Sequence, residues 1–238
     1  MSRDIFSMIG KQSSRVKPQE KIAARVASAV TANLLSLSLS ETHKTIIIDE
    51  YIVKIHPIST QSRTPSRKFV AFDLDGTLIT TKSGHTFSRG PNDWTWLNDK
   101  VVPSLQSITL PIVIFTNQGA VIAQKTSKSL SNFTKKCKLI LDAMKEAGID
   151  VSNVWIYASP KMGKTYKGKN EAEFTKMRKP EIGMFEHLLK DGVLEDVIKE
   201  ECVYVGDAAG RATDFSDSDK KFAQNCDIPF KTPEEYFV

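Results

Sequence analysis

Cysteine is scarce in this 238-residue chain: Cys137, Cys202 and Cys226 stand far apart. With no Cys-x-x-Cys pair and no Cys/His cluster, a structural zinc site is not expected. So sparse and odd a set fits a reducing compartment better than a secreted, disulfide-stapled domain. No run of about 18 apolar residues occurs, so no membrane span is expected, and nothing resembles a cleavable signal. Gly163, Lys164 and Thr165 invite a phosphate-loop reading, but the leading Gly of that motif would have to replace Ala158, so no nucleoside triphosphate is expected.

What is present suits one globular domain with an extension: 40% hydrophobic, 26% charged, formal charge +5. The mild positive balance is compatible with a polyanionic partner. Residues 1–20 are polar and basic. Ile22, Val26, Val30, Leu34 and Leu37 then recur at helical spacing and predict an amphipathic helix from Gln19 to Leu39. Thr45 to Ile55 reads as one or two short strands. Residues 1–66 are expected to form an N-terminal extension, and 67–238 the catalytic domain.

The chain is organised around Phe69 to Leu78. Phe69, Val70, Ala71 and Phe72 are an unbroken apolar run, the mark of a strand buried on both faces. The run ends in Asp73 and Asp75, then Gly76 and Thr77. Strand alternation puts the two carboxylates on one side, at the end where parallel sheets bind ligands. Carboxylates that close need a cation, or one must hold a proton. Leu110 to Phe115 is a second core strand and runs into Thr116 and Asn117. Val151 to Ala158 is a third. Glu201 to Val205 is a fourth, ending in Gly206 and Asp207. The expected fold is α/β: a Rossmann-like parallel sheet flanked by helices.

A long helix over Thr126 to Ala147 carries Leu130, Phe133, Cys137, Leu141 and Met144 as its core stripe, with Lys125, Lys128, Lys135, Lys136 and Lys138 on its polar side. Residues 159–179 are the most basic stretch and read as an exposed loop. Lys179 precedes a helix from Glu181 to Lys190, whose electropositive N-terminus suits an anion. Phe222 to Val238 reads as a closing loop, short strand and docking segment.

In this order, Asp73-x-Asp75-Gly76-Thr77, Thr116-Asn117, Lys179 and Gly206-Asp207 resemble the motifs of the haloacid dehalogenase-like phosphatases. Phe115 to Gln118, Arg178-Lys179-Pro180, Tyr204 to Arg211 and Asp214-Phe215-Ser216 are similar to the phosphatase domain of the polynucleotide kinase 3′-phosphatase family. The resemblance implies Asp73 as nucleophile, Asp75 as general acid/base, Thr116 and Lys179 as phosphate-binding catalytic groups, and Mg2+ held by Asp73, the main chain of Asp75 and Asp207. Thr77, Asn117, Ser83, Arg178, Lys164 and Lys167 are the expected substrate contacts. Asp214 or Asp217 could support the metal site or simply make turns.

Many members of the superfamily insert a large cap between the first two motifs. Here about forty residues separate them, so no large cap domain is expected. The implied activity is hydrolysis of 3′-phosphates at nicks, gaps and breaks in DNA, in the nucleus, by a monomer that stands alone because no kinase follows before Val238. Trp94 or Phe87 could stack on a terminal base. A small-molecule phosphomonoesterase and a nucleic-acid-end binding module stay open as alternatives.

Overall fold

The computed structural model describes residues 33–58 and 65–238. In chain order they form strands β1 (Leu34–Ser38), β2 (His43–Ile48), β3 (Ile52–Pro57), β4 (Val70–Phe72), β5 (Ile79–Thr80) and β6 (Thr95–Trp96) and helix α1 (Val101–Gln106). Strand β7 (Ile112–Gln118), helix α2 (Lys128–Glu146), strand β8 (Val154–Pro160) and helices α3 (Glu171–Met177) and α4 (Gly183–Lys190) follow. The chain closes with β9 (Val203–Val205), α5 (Ser218–Cys226), β10 (Phe230–Lys231) and α6 (Pro233–Tyr236).

One sheet has the order β1-β2-β3-β8-β7-β4-β9-β10. Strands β8, β7, β4, β9 and β10 run parallel, and β3, β2 and β1 extend them antiparallel. From β4 the chain winds outward through β7 to β8, then returns to β9 and β10 on the other side. Strand order therefore reverses beside β4, and the crevice at the carboxyl ends opens there. Period-two alternation fills both faces. Val70, Phe72, Ile112 and Ile114 pack with α1 and α2 through Leu105, Phe133, Ile140 and Met144. Phe69, Ala71, Val113 and Phe115 pack with α3, α4 and α5 through Phe174, Met184, Leu188 and Phe222. Each of the larger of these side chains contributes about 1.5–3 kcal/mol by leaving water.

Between β4 and β7 lie only the β5–β6 ribbon, its connecting loop and α1. Among the described residues no cap domain stands over the crevice.

Several expectations need correction. The helix predicted from Gln19 does not reach Leu39: Leu34–Ser38 are strand β1, whose pairing with β2 overrides the helical spacing, and the rest of that prediction lies outside the described residues. Residues on both sides of position 66 contribute to the same sheet. The basic stretch 159–179 is not all loop, because α3 forms with Phe174 and Met177 buried. The C-terminal segment holds helix α5, where a loop was expected.

The antiparallel part of the sheet carries a buried polar group on β3. His56 is 8% exposed, and its Nε2 has no hydrogen-bond partner among the described residues, with the Asp191 carboxylate 3.6 Å away. Burial pushes this ring down from 6.5 to about 4, against the pull of Asp191. Between those values the unfolded chain binds a proton that the folded chain refuses. The stability carried by the neutral ring is thus whole above pH 6.5 and is lost as pH falls toward 4, by up to about 3 kcal/mol. His56→Gln should therefore lose less stability than the parent between pH 7 and 4.5 in urea denaturation. Parallel losses would contradict this, and the comparison cancels carboxylates that titrate in the same window.

Candidate active site

Strand β4 stops at Phe72, so alternation does not carry through to Asp75. The two aspartates make different contacts. Asp73 is buried at 7% exposure, its N–H donating to Val205 O at 2.8 Å and its carboxylate turned toward Lys179. Asp75 lies past the strand with its side chain half-exposed, and it pairs with Lys136 of α2.

Lys179 Nζ is ringed by oxygens: Asp73 Oδ1 at 2.6 Å, Asp219 Oδ1 at 2.7 Å, and Phe115 O and Tyr204 Oη at 2.8 Å each. Asn117 clamps the same residue by its backbone, accepting from Lys179 N at 2.9 Å and donating to Lys179 O at 3.1 Å. Asn117, expected to touch substrate, holds the lysine in place. Burial works against the ammonium, but Asp219 and Asp73 outweigh it and hold Lys179 above its ordinary value.

Carboxylate oxygens of Asp73, Asp207 and Asp219 lie within 4.8 Å of one another. Burial pushes Asp73 well up, Lys179 draws it back, and Asp219 and Asp207 raise it again. Burial, then Asp219, lift Asp207 to about 6. With all three ionised and Lys179 charged, the cluster holds two negative charges in excess. A hard divalent cation is the charge that balances such an all-oxygen donor set and lets Asp73 ionise, so the residues present fit one.

Two glycines make the approach possible. Gly76 has φ +90°, and a Cβ there would sit 2.4 Å from Asp207 Oδ2. A Cβ on Gly206 would fall 2.5 Å from Asp219 Cβ. Thr77, also an expected substrate contact, is fully buried and fixes Asp207: its Oγ1 accepts from Asp207 N at 3.1 Å.

Thr116 is buried at the end of β7 and accepts from Gln118 Nε2 at 2.9 Å, which leaves its hydroxyl a proton to donate. Arg178 is exposed beside Gly119, at the rim. Ser83 gives its hydroxyl to Asp93 at 2.8 Å and so orders its own loop. Lys164 and Lys167 stand exposed after β8. Neither Asp214 nor Asp217 joins the cluster. Asp214 accepts from Ala209 N and Arg211 N at 3.0 Å each, shaping the turn, and Asp217 pairs with Lys221 at 2.7 Å.

The supporting carboxylate is Asp219, buried on α5 and not among the residues expected at the site. A signal existed: Phe222, Ala223 and Cys226 share a helical face with Asp219, and all four are buried. Tyr204 was likewise missed, although an inward tyrosine on a buried strand needs a partner for its hydroxyl. It donates to Asp219 Oδ1 at 2.8 Å.

Residues 68–237 match the family described as polynucleotide kinase 3 phosphatase. The polynucleotide 3′-phosphatase of Saccharomyces cerevisiae is 38% identical over 236 residues, covering 82% of this chain and 99% of that protein. The bifunctional polynucleotide phosphatase/kinase of Schizosaccharomyces pombe is 40% identical over 176 residues, covering 73% of this chain but 38% of the longer protein. A solved structure from Mesorhizobium loti, described as HAD-like phosphatase, superposes with a TM-score of 0.52 at 19% identity, covering 75% of this chain and 77% of that one. That likeness concerns the fold: a parallel α/β sheet of the haloacid dehalogenase type.

Proposed function

We propose that this chain, which belongs to the polynucleotide kinase 3 phosphatase family, hydrolyses terminal 3′-phosphates at DNA strand breaks and leaves 3′-hydroxyl ends for repair. The observation that carries the reading is the buried Asp73–Lys179 contact inside the carboxylate trio, at the carboxyl end of the central strand.

In this mechanism Asp73 attacks phosphorus in line with the departing 3′ oxygen and becomes an aspartyl-phosphate. Asp75 gives its proton to that oxygen, then takes one from the water that hydrolyses the phosphoenzyme. Thr116 and Lys179 hold non-bridging oxygens. Magnesium, held by Asp73, the main-chain carbonyl of Asp75 and Asp207 and backed by Asp219, would supply Lewis-acid neutralisation of the phosphoryl charge.

A crevice with no cap domain inserted between β4 and β7 accepts the end of a polymer. Exposed Lys161, Lys164, Lys167, Lys169 and Arg178 suit its backbone phosphates, which carry no sequence information. Of the two aromatics considered for stacking, Trp94 is half-buried edge-on to Trp96 at 5.4 Å, whereas Phe87 is 81% exposed and free to meet a base. A monomer acting in the nucleus is the setting proposed. No helix among the described residues is long and apolar enough to cross a membrane.

Comparing kcat/KM on an oligonucleotide 3′-phosphate, a mononucleotide 3′-phosphate and a sugar phosphate tests substrate class. The oligonucleotide should be preferred, and the preference should shrink as salt rises. Equal or better turnover of the sugar phosphate would move the chain to small-molecule chemistry. Binding of ends without phosphate release would leave a binding module.

A further inference from the structure

Lys136 occupies a core position. On α2, Leu130, Phe133, Cys137, Ile140, Leu141 and Met144 form the buried face, and Lys136 falls within it, at 6% exposure. It does not belong to the polar lysine face where its charge suggested it would lie. A buried ammonium requires an anion, and the anion is Asp75, whose Oδ1 lies 2.9 Å from Nζ. The other oxygen of Asp75 accepts from Gln118 Nε2 at 2.8 Å, and that amide nitrogen also donates to Thr116 Oγ1 at 2.9 Å. Both carboxylate oxygens are therefore held, one by a charge rooted in the core, although the Asp75 side chain is itself 49% exposed.

We propose that Lys136 is a positioning residue for proton transfer at Asp75, with Gln118 as the second point of attachment. The inference rests on the reading of Asp75 as general acid/base. When the P–O3′ bond breaks, its electron pair goes to O3′, and Asp75 supplies the proton. In the next step water oxygen bonds to phosphorus, its proton passes to Asp75, and the bond from phosphorus to Asp73 breaks. One water is consumed and inorganic phosphate leaves. Asp75 must reach the same oxygen position at both stages. A half-exposed aspartate free to rotate would spend much of its time elsewhere, and small misplacements of a catalytic group are costly.

The test compares leaving groups. A sugar 3′ oxygen leaves poorly without a proton, whereas 4-nitrophenolate needs none. Lys136→Met keeps the apolar stem and removes the charge. Its kcat/KM, which reports steps up to departure of the leaving group, should fall about 10–100-fold on an oligonucleotide 3′-phosphate. On 4-nitrophenyl phosphate it should fall no more than about threefold, and Lys136→Arg should recover most of the loss. Equal losses on both substrates, or none on either, overturn the proposal. If Lys136→Met does not fold, Lys136→Gln is held to the same comparison.

Asp75→Asn, run in parallel, separates the levels. Should it lose equally on both substrates, the acid role of Asp75 fails and the inference with it. Should it be selective while Lys136→Met is not, the inference alone fails.

Discussion

Asp73→Asn is expected to lower kcat on a 3′-phosphorylated oligonucleotide by at least ~10⁴-fold, because it removes the atom that bonds to phosphorus. The fold should not suffer. Lys179 keeps Asp219 at 2.7 Å, and Phe115 O and Tyr204 Oη remain around the ammonium. Stability should even rise slightly in chelator. Burial holds the Asp73 carboxyl well above its ordinary value. A group raised on folding is costly once pH climbs past its unfolded value, and asparagine removes that cost at neutral pH. Turnover assays and urea denaturation in chelator together give the signature of an inactive, well-folded variant. Residual turnover within about tenfold of the parent would rule out Asp73 as the nucleophile.

Lys179→Met should damage both activity and stability. The variant leaves Asp73 and Asp219 buried with no cation between them, and Asp207 nearby. Breaking a buried ion pair by removing one partner costs about 3–5 kcal/mol. Protonation of the stranded carboxylates would offset part of that, so the loss should be smaller at pH 5 than at pH 8. Magnesium should restore more stability to this variant than to the parent, since it supplies charge to the same oxygens. The fall in kcat, about 10²–10³-fold or more, reflects a missing donor to the phosphoryl oxygens. Denaturation at both pH values, with and without magnesium, checks the electrostatic part. A variant as stable as the parent in chelator would mean that Lys179 does not hold the cluster together.

Much of this site was legible in the sequence because strands buried on both faces are conspicuous. Phe69 to Phe72 and Leu110 to Phe115 announce themselves as apolar runs, and the polar residues that end them fall at one edge of a parallel sheet. Asp73, Thr116, Lys179 and Asp207 are expected that way and by resemblance, and the structure brings Asp73, Lys179 and Asp207 together. What stayed hidden depends on tertiary pairing. Leu34 and Leu37 keep a helical spacing, yet β2 captures them as a strand. Alternation places Asp75 beside Asp73 only if the strand continues, and it ends at Phe72.

Asp219 and Lys136 share a different reason. Each is a charged residue on the buried face of a helix, and a charge in a sequence is read first as solvated. Buried neighbours at helical spacing, Phe222 and Cys226 for one and Phe133 and Ile140 for the other, are the cue that such a charge has a partner inside. Asn117 and Thr77, expected as substrate contacts, also have structural partners. Both face the protein, one fixing Lys179 and the other Asp207.

The most direct measurement is release of inorganic phosphate from a nicked duplex bearing a 3′-phosphate, against the same nick bearing a 5′-phosphate, each with magnesium and with chelator. Magnesium-dependent release from the 3′ end alone is the expected result, and it would join reaction, metal and polarity in one experiment. Release from the 5′ end at a similar rate, or release from the 3′ end that persists in chelator, would contradict it.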